Sequence, residues 1–137
     1  MTLAYDTYSE ARAHFKDLLD AAESGRPALV RRDGRPSAVV DATRLCGLLS
    51  ESLRLRGEVV SEAGGWSVFI PGTPVAADGA TLDEAIDEMI LALREYAADW
   101  QDSLLNSPNH RGNWGLVQFT SLCDDEQLRR WLLGTAA

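Results

Sequence analysis

The dipeptide Asp33-Gly34 sits between two β-prone runs, Ala28-Leu29-Val30-Arg31-Arg32 and Arg35-Pro36-Ser37-Ala38-Val39-Val40. An Asp-Gly pair readily takes the positive φ values of a two-residue hairpin turn, so the two runs are expected to pair antiparallel. Pro36 has no backbone donor and must lie where the ladder needs none. The flanking segments read as helices. Thr7-Tyr8-Ser9-Glu10 has capping-box spacing, and Ala11, Phe15, Leu18, Leu19 and Ala22 follow on one apolar stripe until Gly25 and Pro27 stop it. A second helix is expected from about Ala42 into Leu55, with Leu45, Leu48, Leu49 and Leu53 as its apolar set. Thr2–Tyr5 adds a short first strand. Strand, helix, hairpin, helix makes a unit of roughly 55 residues, a size that is marginal alone and is often stabilised by dimerisation.

Gly57 marks the expected boundary, dividing the chain into domains 1–56 and 57–137. Glu58–Glu62 and Trp66–Ile70 read as strands around Gly64-Gly65, and Val75–Gly79 as a short third strand. Thr81-Leu82-Asp83-Glu84 opens the strongest helical pattern, with Leu82, Ile86, Met89, Ile90, Leu93, Ala97, Trp100 and Leu104 at helical spacing, ended by Asn106-Ser107-Pro108-Asn109. Gly115–Thr120 is expected as a strand. Asp124 with Gln127 caps a last helix holding Leu128, Trp131 and Leu132. The expected class is α+β, with β-α-β-β-α followed by β-β-β-α-β-α.

Charge separates the halves. Residues 1–57 carry a net +1 and residues 58–137 a net −9. The first half can approach a phosphate backbone; the second would be repelled by one and suits a basic protein. No apolar run approaches the roughly 18 residues of a membrane span. Met1 to Tyr8 has no basic stretch followed by an apolar core, so no secretory signal is expected. Cys46 and Cys123 lie far apart without metal-type spacing and read as separate small apolar residues, which fits a reducing cytoplasm.

Tyr8-Ser9-Glu10-Ala11-Arg12, then Phe15, Leu18 and Leu19, then the run Pro27 to Val40, resemble the Phd/YefM (prevent-host-death) antitoxin family. The resemblance covers residues 1 to about 55. It implies an N-terminal domain that dimerises, binds operator DNA and represses its own operon. It also implies, by position, that Arg12 and Arg31 contact DNA. Ser9 lies beside Arg12 near a helix N-terminus, where backbone N–H groups favour phosphate. Arg32, Arg35 and Lys16 are further phosphate candidates from charge and placement. Arginine suits this role because its fork donates paired bonds to phosphate and guanine edges. Arg31, Arg32 and Arg35 flank the hairpin turn and are expected to project together.

The second half departs from that family, whose members typically end in a disordered acidic segment. Gly65-Trp66-Ser67-Val68-Phe69-Ile70-Pro71-Gly72, then Asp78-Gly79-Ala80-Thr81-Leu82-Asp83-Glu84-Ala85, are similar to the HicB-like antitoxin domain, a partial ribonuclease-H-like fold. The resemblance implies that this domain contacts the toxin. Asp78, Asp83, Asp87 and Glu88 raise a nuclease reading, but carboxylates in the first turns of a helix complement its dipole without a metal. A two-metal nuclease needs carboxylates converging from strands as well, where the chain offers only Glu58 and Glu62. No enzyme, metal or cofactor is expected. His14 reads as surface or dimer-facing, and His110 as a turn residue. Trp100 is the expected partner anchor, since aromatics concentrate binding energy at interfaces.

The reading is thus a cytoplasmic, dimeric antitoxin of a type II toxin–antitoxin system. It represses its operon through operator DNA and neutralises a basic toxin, expected to be a ribonuclease. Stand-alone repressor and ribonuclease-H-like nuclease are the alternatives.

Overall fold

The computed structural model describes residues 2–53 and 57–134. The expected extension of the second helix to Leu55 lies outside the described residues. The chain divides into two compact units, Met1–Leu45 and Cys46–Ala137.

In the first unit, β1 (Leu3–Tyr5) is followed by α1 (Tyr8–Ala13), α2 (Phe15–Glu23), β2 (Ala28–Arg32) and β3 (Arg35–Ala38), and α3 (Ala42–Leu53) begins. The sheet order is β1-β2-β3, with β1 parallel and β3 antiparallel to β2. The turn forms as the sequence predicts: Asp33 and Gly34 have φ of 52° and 77°. Thr7 caps α1 through a 3.1 Å bond from the Glu10 amide. The single helix expected here is broken at His14, whose backbone (φ −123°, ψ 31°) leaves the helical region. The His14 ring stacks on Tyr5, with centroids 5.2 Å apart. Tyr5's phenol pKa lies above its ordinary value through desolvation, with Asp17 and Glu10 adding to the effect.

Ala11, Leu18, Ala21 and Ala28 form the small core of this unit, with Leu3, Tyr5, Val30 and Val39 against it. Phe15 and Leu19, expected on the buried face of the first helix, instead stand exposed. Leu18 and Ala22 of the same stripe are buried as expected, and Ala21 joins them; Phe15 opens α2 directly after the break at His14, and it and Leu19, one turn on, fall on the side away from that buried face.

The division between units falls within α3, since Cys46 and Leu53 pack in the second core. Beyond it, β4 (Glu58–Glu62), β5 (Gly65–Phe69) and β6 (Ala76–Gly79) form an antiparallel sheet in that order. Alternation directs Val59, Trp66, Val68 and Ala77 toward the core. Across them lies α4 (Leu82–Asp99), which buries Ala85, Ile86, Met89, Ile90, Leu93, Tyr96 and Ala97. Thr81 caps it through the Glu84 amide, while the Glu84 carboxylate accepts from the Ala80 amide. The helix widens into a π-helical turn at Trp100–Leu104.

The expected strand at Gly115–Thr120 is instead a helix, α5 (Trp114–Leu122), followed by α6 (Asp125–Leu132) with the full Asp124–Gln127 capping box. Leu116, Val117, Phe119 and Thr120 are all buried. A helix apolar on more than one side reads as a continuous apolar run, and periodicity alone does not separate it from a buried strand. Arg94 of α4 ties this end together, donating to the carbonyls of Thr120 and Cys123 and to the Asp125 carboxylate.

Cys46 and Cys123, expected as separate apolar residues, are both buried, but a disulfide joins them, with Cα atoms 5.8 Å apart. A separation of 77 residues conceals this pairing from the sequence.

Gly79 marks the tightest approach in the second unit. A Cβ there would lie 2.4 Å from the Ala85 amide nitrogen and 2.9 Å from its Cα, both backbone atoms of α4. Neither can move without shifting the helix off the sheet. We expect Gly79→Ala to destabilise this unit by about 3 kcal/mol, read as a lowered denaturant midpoint at unchanged slope.

Candidate nucleic-acid interface

The arginines divide between the two faces of the first sheet. Arg32 pairs with Arg35 across the turn, and Arg31 with Pro36. Cross-strand partners share a face and successive residues alternate, so Arg32 and Arg35 stand on the face of Val30, and Arg31 on the other. The expectation that all three project together is therefore corrected by the pleat. A shallow cleft at the hairpin end of the sheet is lined by Tyr8, Val30, Arg32, Asp33, Arg35, Pro36 and Ser37.

Tyr8 brings α1 to this cleft. Arg12 follows one turn later, so the two share a side of the helix, and Ser9 adjoins them. Among the described residues, Arg12, Arg32 and Arg35 are exposed and engage no carboxylate. Three uncommitted guanidinium groups beside an exposed tyrosine can bind phosphate oxygens in paired geometry.

Arg31 differs. It donates to Asp6 at 3.0 Å. Asp6 is 79% exposed and Arg31 42%, so the pair contributes under about 1 kcal/mol and is readily exchanged for another anion. Lys16 is bound to Asp20 at 2.6 Å, and that bond holds its pKa above the ordinary value. If this face meets DNA, Asp6→Asn should leave stability nearly unchanged and tighten binding by about threefold, since one anion is removed beside Arg31 and Arg31 is released. A filter-binding titration at fixed salt checks this.

In the second unit the carboxylates that raised a nuclease reading are scattered. Asp83, Asp87 and Glu88 are exposed on α4, and Asp87 accepts from Arg129. Asp78 accepts from Ser67 on the outer face of the sheet. Among the described residues no three His, Cys, Asp or Glu side chains are grouped to hold a metal. His110 is half-buried, with Nδ1 2.8 Å from the Tyr96 hydroxyl. His14 is exposed.

Trp100 is not the exposed anchor that its residue type suggests. It is 7% exposed, and its indole N–H donates to the His110 carbonyl at 2.8 Å. Trp114, which no sequence pattern singles out, is 55% exposed at the start of α5. It adjoins the segment whose sequence reads as a strand, and a strand pattern does not reveal which side of a helix faces water.

Among the described residues no helix is long and apolar enough to cross a membrane. No curated protein matches the sequence. The fold is similar to a crystal structure from Syntrophomonas wolfei subsp. wolfei described as the antitoxin part of a candidate toxin/antitoxin system. The TM-score is 0.76 at 21% identity, covering 96% of this chain and 95% of that one. A family model of PHD-like antitoxins, described as the antitoxin of RelE/RelB toxin–antitoxin systems, matches residues 1–133 and so runs through both units. The chain belongs to this PHD-like family of antitoxins of toxin–antitoxin systems.

Proposed function

We propose that this antitoxin works through a division of labour. Residues 1–56 form a Phd/YefM-like module that dimerises, binds operator DNA and represses the operon. Residues 57–137 form a HicB-like module that binds and blocks a basic toxin, of which a ribonuclease is the leading kind. Antitoxin family membership carries the requirement for a toxin. The observation that carries the DNA assignment is the cleft where Arg32 and Arg35 meet Tyr8, with Ser9 and Arg12 alongside. Arg31 joins the contacts once it exchanges Asp6 for phosphate.

Two further features support the reading. Phe15 and Leu19, one turn apart on α2, leave an apolar patch uncovered in the single chain. A second copy covering it would present two arginine clusters, matching half-sites about one helical turn of DNA apart or a multiple of it. The net −9 of residues 58–137 opposes unspecific DNA affinity and steers a basic partner.

Titration of the chain against its own upstream DNA over a range of salt concentrations tests the DNA half. The expected result is a dimer–operator complex whose log affinity falls linearly with log salt, with a slope near −0.9 per phosphate engaged. A chain with no preference for that DNA over random sequence would refute the repressor assignment.

A further inference from the structure

The disulfide has an arrangement that goes beyond cross-linking. Cys46 is the first residue of the second unit, and Cys123 joins α5 to α6. The bond therefore fastens the opening helix of the unit to its closing helices. Among the described residues, Leu53, with Leu49 against it, also holds that part of α3 in the core.

The cover over Cys123 is thin. It is 4% exposed, yet Ser121, Leu122, Asp124, Asp125 and Glu126 around it are all exposed. A one-turn opening at the α5–α6 junction would uncover its sulfur. The same place favours a departing thiolate. Arg94 donates to the Cys123 carbonyl at 3.0 Å, and the N-terminus of α6 begins two residues on. The two adjoining carboxylates are both engaged, Asp124 by the Gln127 amide and Asp125 by Arg94. Access directs the first attack to Cys123, and its stabilised thiolate then leaves faster in the second displacement, the step that completes the reduction.

We propose that Cys46–Cys123 is a thiol–disulfide exchange site whose reactant is a dithiol, and that exchange there loosens the second unit. One thiolate of the dithiol attacks Cys123 Sγ, forming a mixed disulfide and releasing Cys46 as a thiolate that takes a proton. The second thiolate of the dithiol attacks its own sulfur in the mixed disulfide and displaces Cys123, which takes the second proton. Two electrons pass to the protein, and the dithiol ends as a disulfide. The inference stands independently of the toxin and DNA assignments.

The test uses the full chain in native buffers poised with reduced and oxidised dithiothreitol. Thiols are counted by alkylation and mass spectrometry, and digestion by thermolysin is timed in parallel. The expected result is two new thiols under native conditions and digestion at least about tenfold faster once they appear. A monothiol probe should trap its adduct on Cys123 in preference to Cys46. The Cys46→Ser/Cys123→Ser chain should digest at the reduced rate in every buffer. A disulfide that stays intact until the protein is denatured, an adduct on Cys46 alone, or reduction without faster digestion would each overturn the proposal.

Discussion

Arg12→Ala combined with Arg32→Ala and Arg35→Ala is expected to weaken operator binding by about 100-fold or more and to flatten its salt dependence by about 0.9 for each phosphate no longer engaged. The three side chains are exposed and pair with no carboxylate, so their removal leaves no buried charge behind and stability should hardly change. Arg31→Ala alone should cost less, because Arg31 must first exchange Asp6 for phosphate. Equal losses from both variants would mean that the two faces of the sheet contribute alike to DNA binding. The triple variant should still neutralise the toxin, since all three arginines belong to the first unit.

Removing the cross-link by Cys46→Ala with Cys123→Ala should destabilise the second unit by about 4 kcal/mol, the loop-closure entropy associated with a separation of 77 residues. For a unit of this size that corresponds to a fall in melting temperature on the order of 20 °C. Calorimetry should show it in the transition of the second unit. A change within a few degrees would show that the unfolded chain is not restrained by this bond.

Local chemistry is the most legible part of the sequence. Asp33-Gly34 dictates its turn, Thr7, Thr81 and Asp124 dictate three helix starts, and the Leu82 stripe dictates the longest helix. Ambiguous patterns are where sequence and structure part. Leu116-Val117-Gln118-Phe119-Thr120 is β-branched and apolar enough for a strand, and only tertiary burial makes it a helix. The Cys46–Cys123 bond depends on bringing distant chain segments together, which no local pattern records.

Trp100 illustrates a different conflict. Its place on the apolar stripe that continues from α4 into the π-helical turn already implies burial, and that spacing outweighs the general preference of aromatics for interfaces. The candidate DNA site is half legible. Residue types and the hairpin point to Arg12, Arg32 and Arg35, but the cross-strand register is needed to separate Arg31 from them.

The most direct test of the central claim is co-expression of this chain with the small basic protein expected to be encoded beside it, read by growth and by co-purification. The neighbour alone should arrest growth, this chain should restore it, and the two should purify as a complex which the triple arginine variant also forms. Arrest that this chain fails to relieve, or relief without any complex, would contradict neutralisation by direct binding.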